Sequence, residues 1–307
     1  MTCRNDEKGQ QLYKELCEKY PEDVERFFYQ QLDITDENSI ANLLDFIKKN
    51  FKKFDYLVNN AGYSSTGRDF NEEICEETFK VNYTGTVNFT EKMFGTINKN
   101  GKIIFVTAKS GTATKLKNEN LIGKFKNAKN VDDIAKLGER FKKSVQEDKT
   151  EADGWYKNCF AISKLLLNYY AKLVTKKREI SRESISVFSM HPGWCKTDMG
   201  GPHAPLEPTE GAERIIYLLE LPDISKYDTV YLGTPVWWYT FASPIRTFLE
   251  ENNFEGKTIM PFCTHGGGGA SSTYIDIKQL VSNANVKEGY TSYNNSARLS
   301  EIENWIK

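Results

Sequence analysis

Short apolar runs alternate with amphipathic stretches along most of the chain. Apolar runs of about four to eight residues predict strands, and apolar positions that recur every three to four residues predict helices. The predicted strands are Arg26–Asp33, Tyr56–Asn59, Lys102–Thr107, Ser184–Ser189, Asp228–Thr234, Lys257–Cys263 and Asn285–Thr291. Their alternation with helices indicates βαβ units and a largely parallel sheet.

Several stretches between these strands carry the helical pattern. Thr35 is placed to cap a helix with the apolar face Ile40, Leu43, Leu44, Ile47 and Phe51. The further predicted helices are Glu72–Ile97, Tyr156–Lys176, one with Pro244 in its first turn, and a final one that ends in Trp305 and Ile306.

The segment from Gly111 to Asp153 is rich in Lys and Asn and is too long for an ordinary connection. It contains one amphipathic stretch, with apolar residues at Val131, Ile134, Leu137, Phe141 and Val145. We interpret the segment as a surface lid with its own helix. The strand pattern restarts near Leu221–Lys226. This predicts a first domain over 1–224, with the lid at about 111–153, and a second domain over 225–307.

Composition narrows the class of protein. The 307 residues are 39% hydrophobic and 27% charged, which is typical of a globular chain with about two domains. The formal charge of −1 gives no electrostatic reason to expect nucleic acid or a membrane surface as a partner. The N-terminus has no apolar leader, and no run approaches the length of a membrane-spanning helix. Because the six cysteines lack C-x-x-C spacing, we expect a cytoplasmic chain without a disulfide framework or metal site.

A sharp signal lies at the end of the predicted strand Tyr56–Asn59, where the chain reads Asn59-Asn60-Ala61-Gly62. Open α/β sheets bind ligands at such turns, although alone the string is also typical of an Asx turn. Further strings are Thr2-Cys3-Arg4, Leu32-Asp33-Ile34, Lys80-Val81-Asn82, Ser163-Lys164 and His191-Pro192-Gly193-Trp194-Cys195-Lys196-Thr197-Asp198-Met199. With them, Met1 to about Glu220 resembles the short-chain dehydrogenase/reductase family, of the carbonyl reductase type.

That resemblance implies a Rossmann-like NADP(H) site and assigns residues to it. Arg4 matches the residue that meets the 2′-phosphate of NADP, an anion that suits a guanidinium group. Lys164 matches the lysine that binds the nicotinamide ribose and lowers the pKa of the catalytic tyrosine. Asn82 matches the asparagine that supports a proton relay. The other matches are Asp33 and Ile34 at the adenine, Asn59, Ala61 and Gly62 in the cofactor cleft, and Pro192, Gly193 and Thr197 in the loop over the nicotinamide.

Two catalytic positions of that family are changed. Members carry a tyrosine four residues before the lysine, where this chain has Phe160, and a phenyl ring has no proton to donate to a carbonyl oxygen. The serine that would polarise the carbonyl is replaced by Ala108. We therefore expect carbonyl reduction to be impaired.

Three neighbours are weighed as substitutes and set aside on geometry. Tyr156 lies one helical turn before Phe160, displaced by roughly 6 Å. On a strand, Thr107 points to the opposite face from Ala108. Ser110 recovers the right face only if the strand continues through it.

The glycine-rich, phosphate-binding turn of the dinucleotide fold has no counterpart in the sequence. That fold opens with a strand, a glycine-rich turn and a helix, whereas Met1–Arg4 already corresponds to the second strand and no G-x-x-x-G-x-G is present. The predicted fold class is therefore α/β, with a parallel-sheet Rossmann-like region that lacks its first strand, followed by a partial flavodoxin-like α/β region.

Two loops follow strands of the second region, one aromatic (Pro235 to Tyr239) and one glycine-rich (Cys263 to Gly269). Indole faces stack on flat ligands, and glycines let backbone N–H groups approach the ligand edge. Alternatively, the tryptophans belong to the core and the glycines to a mobile loop. Residues from about 226 to 307 resemble the C-terminal half of flavodoxin-like proteins, although the phosphate loop of that family is missing. The resemblance implies FMN, bound by Pro235, Trp237, Trp238, Cys263, Thr264, Gly266 and Gly267.

Two functions follow from these patterns. The first is an NADPH-dependent oxidoreductase with NADP(H) and FMN sites, whose partner is a small-molecule carbonyl compound or a flavin. Hydride transfer from nicotinamide to flavin would not need a tyrosine in place of Phe160. The alternative is a non-catalytic nucleotide-binding or interaction protein (pseudoenzyme) or a truncated fusion product. We interpret His265, beside the glycines, as a loop residue and not as a metal ligand or general base.

Overall fold

The computed structural model describes residues 1–65, 70–180, 185–220, 224, 227–237, 239–294 and 296–306. The chain divides into two compact units, Met1–Glu220 and Leu221–Lys307. Both are α/β with parallel strands, which confirms the predicted fold class. Among the helices in these ranges, none combines the length and hydrophobicity needed to cross a membrane.

The first unit contains two short parallel sheets. Strand β1 (Thr2–Cys3) pairs with β2 (Gln30–Gln31), and β3 (Phe54–Asn59), β4 (Ile97–Val106) and β5 (Ser186–Met190) form the other sheet in that order. Its helices are α1 (Asp6–Lys19), α2 (Glu37–Asn50), α3 (Glu72–Phe79), α4 (Thr86–Met93), α5 (Glu119–Lys126), α6 (Val131–Gln146), α7 (Cys159–Ile180) and α8 (Pro208–Glu220).

Local capping moves two predicted boundaries in this unit. The predicted strand Arg26–Asp33 shrinks to β2, because Pro21–Arg26 forms a 3-10 helix. The predicted cap Thr35 is wrong: Asp36 caps α2, and its carboxylate accepts from the Asn38 N–H at 2.9 Å. Since Asp36 fills the cap, Thr35 is free to donate to Asp33.

The predicted helix Glu72–Ile97 is interrupted. A π-helical segment at Lys80–Gly85 separates α3 from α4, and the chain then enters β4 at Ile97. A side chain at Gly85 would bring its Cβ to 2.8 Å from the Lys80 carbonyl oxygen and 3.1 Å from that of Ile34. Glycine therefore allows this segment to approach the end of β2 closely.

The segment 111–153 holds two helices, α5 and α6, where one was predicted. The apolar side of α6 belongs to the core of the first unit, so the predicted lid segment is packed into that unit. Phe141 stacks on Phe79 of α3 with 5.5 Å between ring centroids, and it lies 5.2 Å from the fully buried Trp155. These aromatic rings join the segment to α3 and to the residues that precede α7.

The second unit is built on a sheet with the order β10–β8–β6–β7, in which β9 also pairs with β8 and only the β6–β7 pairing is antiparallel. The strands are β6 (Thr229–Trp237), β7 (Thr240–Phe241), β8 (Thr258–His265), β9 (Asn285–Val286) and β10 (Tyr290–Tyr293), and the helices are α9 (Ser243–Glu251), α10 (Thr273–Leu280) and α11 (Leu299–Ile306). The predicted strand Asn285–Thr291 is therefore two strands. They flank Gly289, where a Cβ would lie 2.3 Å from the Tyr274 ring.

Candidate functional site

A groove of about 520 Å³ lies between the two sheets of the first unit. Strands β1 and β3 both line it. Each is an edge strand of its sheet, so each has one edge toward the groove. Apolar side chains of α2 and α4, among them Leu43 and Met93, line it as well. The predicted cofactor residues that border this groove are Arg4, Asp33, Ile34, Asn59, Ala61 and Gly62.

Asp33 is held as a carboxylate at one part of this groove. Burial opposes its ionisation, but hydrogen bonds from the Thr35 amide and hydroxyl, both 2.8 Å, and the charges of Arg4 and Lys80 lower its pKa below the usual value. Ile34, next to it, is buried. A fixed acceptor, a cation and an apolar surface therefore meet here.

Asn59 ends β3 with a buried side chain whose Nδ2 has no partner among the described residues. A buried amide without a hydrogen bond is costly, so this N–H group is available to a ligand oxygen. Gly62, three residues on, is the close-packed position of the turn. A Cβ there would lie 3.4 Å from both the Asn82 Oδ1 and the Lys164 Nζ.

Asn82 projects from the π-helical segment and is fully buried. Its Oδ1 accepts from the Tyr63 N–H at 2.6 Å, and its Nδ2 donates to the Tyr63 carbonyl at 2.8 Å and to the Ser163 hydroxyl at 3.0 Å. The amide thus clamps the turn after β3 to α7. Both ends of its side chain are engaged, which leaves its predicted part in a proton relay without a visible route.

Lys164 is 4% exposed on α7, and its ammonium group donates to the Val106 carbonyl at 2.8 Å. Burial lowers its pKa to about 8. Its Nζ lies 5.7 Å from the centre of the Phe160 ring. The lysine and the replaced tyrosine position are therefore neighbours, as the spacing of four residues predicts.

The three weighed substitutes are engaged elsewhere or lie beyond the strand. Thr107 turns to β5, where its hydroxyl meets Ser189 and Met190. Because β4 ends at Val106, Ser110 lies in a turn beyond the strand. Tyr156 donates to the backbone carbonyls of Ser110 and Thr112 at 3.3 Å, and burial raises its pKa to about 12.

The predicted nicotinamide loop follows β5. Its Gly193 has φ of 102°, and a Cβ there would meet the Leu206 side chain at 2.2 Å, so glycine is required. The Pro192 carbonyl accepts from the Arg214 guanidinium at 3.1 Å, and the Thr197 hydroxyl accepts from the Gly200 N–H at 3.1 Å. None of the predicted loop residues Pro192, Gly193 and Thr197 is among those that line the groove.

In the second unit, β6 and β8 run in parallel with Pro235 opposite Thr264, so their carboxyl ends share one edge of the sheet. Both strands continue beyond their predicted ends, to Trp237 and His265. Trp237 is 51% exposed, which favours the ligand interpretation of its indole over the core alternative. The predicted Trp238 lies outside the described residues.

Among the predicted flavin residues that the structure describes, Cys263 is the one whose side chain turns into the core. It is fully buried, and its sulfur accepts from the Tyr274 hydroxyl at 3.1 Å. Only the backbone of Cys263 is therefore suited to a ligand. Thr264, the next residue, is exposed on the same strand.

The glycine loop after β8 is open and organised by a histidine. A Cβ at Gly266 or Gly267 would have no heavy atom within 4 Å. The Nδ1 of His265 accepts from the N–H groups of Gly267 and Gly269. The sequence analysis did not predict that His265 bonds to the loop. The signal for it is a histidine followed directly by four glycines, whose N–H groups lie within reach of its side chain.

Comparisons with known proteins identify the origin of both units. Residues 1–119 match the family model described as short chain dehydrogenase. Carbonyl reductase [NADPH] 1 of Sus scrofa is 30% identical over 229 residues, which cover 72% of this chain and 78% of the relative. The chain belongs to the short-chain dehydrogenase/reductase family. The Homo sapiens protein of the same name is also 30% identical over 229 residues, covering 72% of this chain and 81% of its own.

A solved relative carries the same fold as this family member. Salutaridine reductase from Papaver somniferum aligns with a TM-score of 0.65 and 26% identity, over 72% of this chain and 86% of its own. Residues 204–307 match the flavodoxin family model, a stretch that begins before the predicted start at about 226 and includes α8. Both predicted resemblances are confirmed, and the chain is of oxidoreductase type.

Proposed function

We propose that the chain is an oxidoreductase that binds NADP(H) in its first unit and FMN in its second, and that it is impaired in carbonyl reduction. The observation that carries the nucleotide part is the groove lined by the predicted residues that end or follow β1, β2 and β3. Arg4 brings a guanidinium for a phosphate, and Asp33 brings a carboxylate for hydroxyl or amine donors.

The groove fits a nucleotide in one further respect. The unpaired Nδ2 of the buried Asn59 is a hydrogen-bond donor that no described residue satisfies, and a ligand oxygen would satisfy it. NADP(H), when bound, supplies hydride chemistry. The part of the chain is to bind and orient, with Arg4 at the 2′-phosphate and Lys164 at the far end of the turn.

Impairment of carbonyl reduction follows from the proton that such a reaction also needs. A carbonyl carbon that receives a hydride leaves an oxygen that must take a proton. Phe160 offers none, and the hydroxyl of Tyr156 is committed to two backbone carbonyls. Since Asn82 is bonded to Tyr63 and Ser163, we see no alternative proton path through it.

The second unit fits the ring end of FMN. Trp237 and Tyr239 expose aromatic rings next to an open glycine loop, where the absence of side chains lets the polar edge of a ring approach the backbone. FMN, when bound, supplies redox chemistry. The residues that would hold it are Pro235, Trp237, Trp238, Thr264, Gly266 and Gly267, with Cys263 acting through its backbone.

A direct binding experiment tests both sites. The purified chain is titrated with FMN and then with NADPH, and its five tryptophans report binding by fluorescence. We expect Arg4→Ala to weaken NADPH binding about tenfold to a hundredfold and to leave NADH unchanged, because NADH lacks the 2′-phosphate. Arg26→Ala is the matched control, since Arg26 is exposed and pairs with Asp23.

A second part of the experiment tests the flavin site. We expect Trp237→Ala to weaken FMN binding about twofold to tenfold, while Trp194→Ala, an exposed tryptophan of the first unit, leaves it unchanged. NADPH oxidation that depends on added FMN would support the oxidoreductase. A cooperatively folded chain that binds neither cofactor would disprove the proposal.

The engagement of Asn82 and the loss of the proton donor also favour a second candidate, a non-catalytic nucleotide-binding protein. It predicts saturable NADPH binding without any NADPH oxidation, either with FMN or with carbonyl compounds. The two candidates therefore differ in turnover and agree in binding.

A further inference from the structure

His265 joins the end of β8 to the loop that follows it. Its Nδ1 accepts from the Gly267 N–H at 3.1 Å and from the Gly269 N–H at 3.0 Å. A ring nitrogen that accepts a hydrogen bond carries no proton, so the imidazole is neutral with its proton on Nε2. One side-chain atom therefore satisfies two backbone donors of the open loop.

We propose that His265 is a positioning residue of the flavin loop, which holds the loop in its binding shape when neutral and releases it when protonated. This inference rests on the proposed FMN site for its consequence in binding. The hydrogen bonds of His265 to the loop, which we call the latch, do not depend on FMN. Protonation places an N–H where the acceptor was, so both glycine N–H groups lose their partner at once.

The backbone of the loop explains why a pin is needed. Gly267 and Gly269 have φ values of 138° and 67°, and Ser271 has 46°. Such left-handed conformations are sparsely populated for a residue like Ser271 and persist where contacts hold them. A Cβ at any of Gly266 to Gly269 would have no heavy atom within 4 Å, and within the loop the Ser271 hydroxyl donates to the Gly268 carbonyl at 3.1 Å.

The pinned loop is connected to the aromatic turn. Ser272, at its far end, donates from its N–H and its hydroxyl to the Tyr239 carbonyl at 2.9 and 2.8 Å. Asp276 then accepts from the hydroxyls of Ser272 and Thr240 at 2.7 and 2.5 Å. Release of the glycine loop would therefore loosen both sides of the proposed flavin site.

The surroundings of the imidazole leave the loop as its main partner. Tyr293 of β10 lies with its ring 5.6 Å away, and the Asn294 N–H donates to the His265 carbonyl at 3.0 Å. On α10, Asp276 is engaged with Thr240 and Ser272. Among the described residues, His265 forms no ion pair. Protonation of its ring would therefore act mainly on its hydrogen bonds to the loop.

Nuclear magnetic resonance of the full chain without FMN tests the latch itself. We expect the amide resonances of Gly267 and Gly269 to move together with the His265 ring signals in a pH series from 8 to 5. Gly256, in a loop of the same unit without a histidine bond, is the reference. In His265→Asn, whose Oδ1 takes the place of Nδ1 and does not titrate, both amides should keep one position across this range.

FMN titrations at pH 5 and pH 8 test the consequence. Loss of the two hydrogen bonds should weaken FMN binding about tenfold at pH 5 in the natural chain, not at all in His265→Asn, and at both pH values in His265→Gln, whose acceptor lies one bond further out. If FMN does not bind at either pH, the proposed function fails while the resonance titration still decides the latch. Glycine amides that ignore the His265 titration, or that titrate unchanged in His265→Asn, would overturn it.

Discussion

The ammonium group of Lys164 lies 5.7 Å from the centre of the Phe160 ring, and its recorded hydrogen bond goes to the Val106 carbonyl. A buried cation that faces a ring without a hydroxyl has no phenol to activate. The lysine that matches the catalytic lysine of the family is thus buried next to the position of the family's tyrosine, which Phe160 occupies in this chain.

Phe160→Tyr combined with Ala108→Ser should gain NADPH-dependent reduction of small ketones. The phenol would stand beside Lys164, whose positive charge favours its ionised form, and the serine would polarise the carbonyl. A positioned general acid contributes about 100-fold to 10,000-fold, so we expect a rate at least about 100-fold above that of the natural chain. NADPH consumption and alcohol product are both measured.

Phe160→Leu with Ala108→Ser is the control, because it changes the same positions without adding an acid. NADPH binding is measured in parallel by fluorescence. A double variant that binds NADPH and still reduces no ketone would show that the impairment extends beyond these two positions.

Lys164→Met should make the protein more stable near neutral pH. Burial lowers the pKa of Lys164 from 10.5 to about 8, so the unfolded chain binds the proton more tightly than the folded one. The buried charge therefore lowers the free energy of unfolding. This effect is fully present below pH 8 and disappears as the pH rises from 8 to 10.5. At about 1.4 kcal/mol for each pH unit it amounts to about 3 kcal/mol.

Urea unfolding of both proteins at pH 7 and pH 10 measures this difference. Lys172→Met, an exposed lysine of the same helix, should leave the free energy of unfolding nearly unchanged at both pH values. A Lys164→Met advantage that does not shrink toward pH 10 would mean that packing, and not charge burial, is responsible.

Pattern reasoning placed most elements but failed where backbone and side chain compete. Asp36 and Thr35 are both good caps, and only the fold shows that Thr35 is drawn to Asp33 while Asp36 caps α2. The π-helical segment around Asn82 spans only six residues, which is too short for apolar periodicity to distinguish it from the α-helices on either side.

The candidate site was predictable where motifs lie at strand ends. Arg4, Asp33 and Asn59 are far apart in sequence, yet parallel strands bring their ends to one groove. The bonds of Asn82 to Tyr63 and of His265 to its glycines were not predicted, because they involve backbone groups whose positions depend on the turn geometry.

Asn82→Ala should destabilise the first unit. It removes three hydrogen bonds and leaves the N–H and carbonyl of the half-buried Tyr63 without their partner. We expect a loss of about 2 to 4 kcal/mol in the free energy of unfolding. Asn88→Ala, on the neighbouring helix α4, removes a single exposed bond to Glu37 and should cost less than about 1 kcal/mol. Equal losses in the two variants would contradict the clamp.

Phe141→Ala should destabilise the first unit as a core substitution does, although Phe141 belongs to a segment that interrupts the βα pattern. Its ring is fully buried and packs on Phe79 and Trp155. Truncation of such a ring costs about 3 to 5 kcal/mol, because a cavity remains. The exposed Lys143→Ala of the same helix should change stability by less than about 0.5 kcal/mol. If Phe141→Ala unfolds at the urea concentration of the natural chain, the segment is a separate flap after all, and α6 does not hold α3.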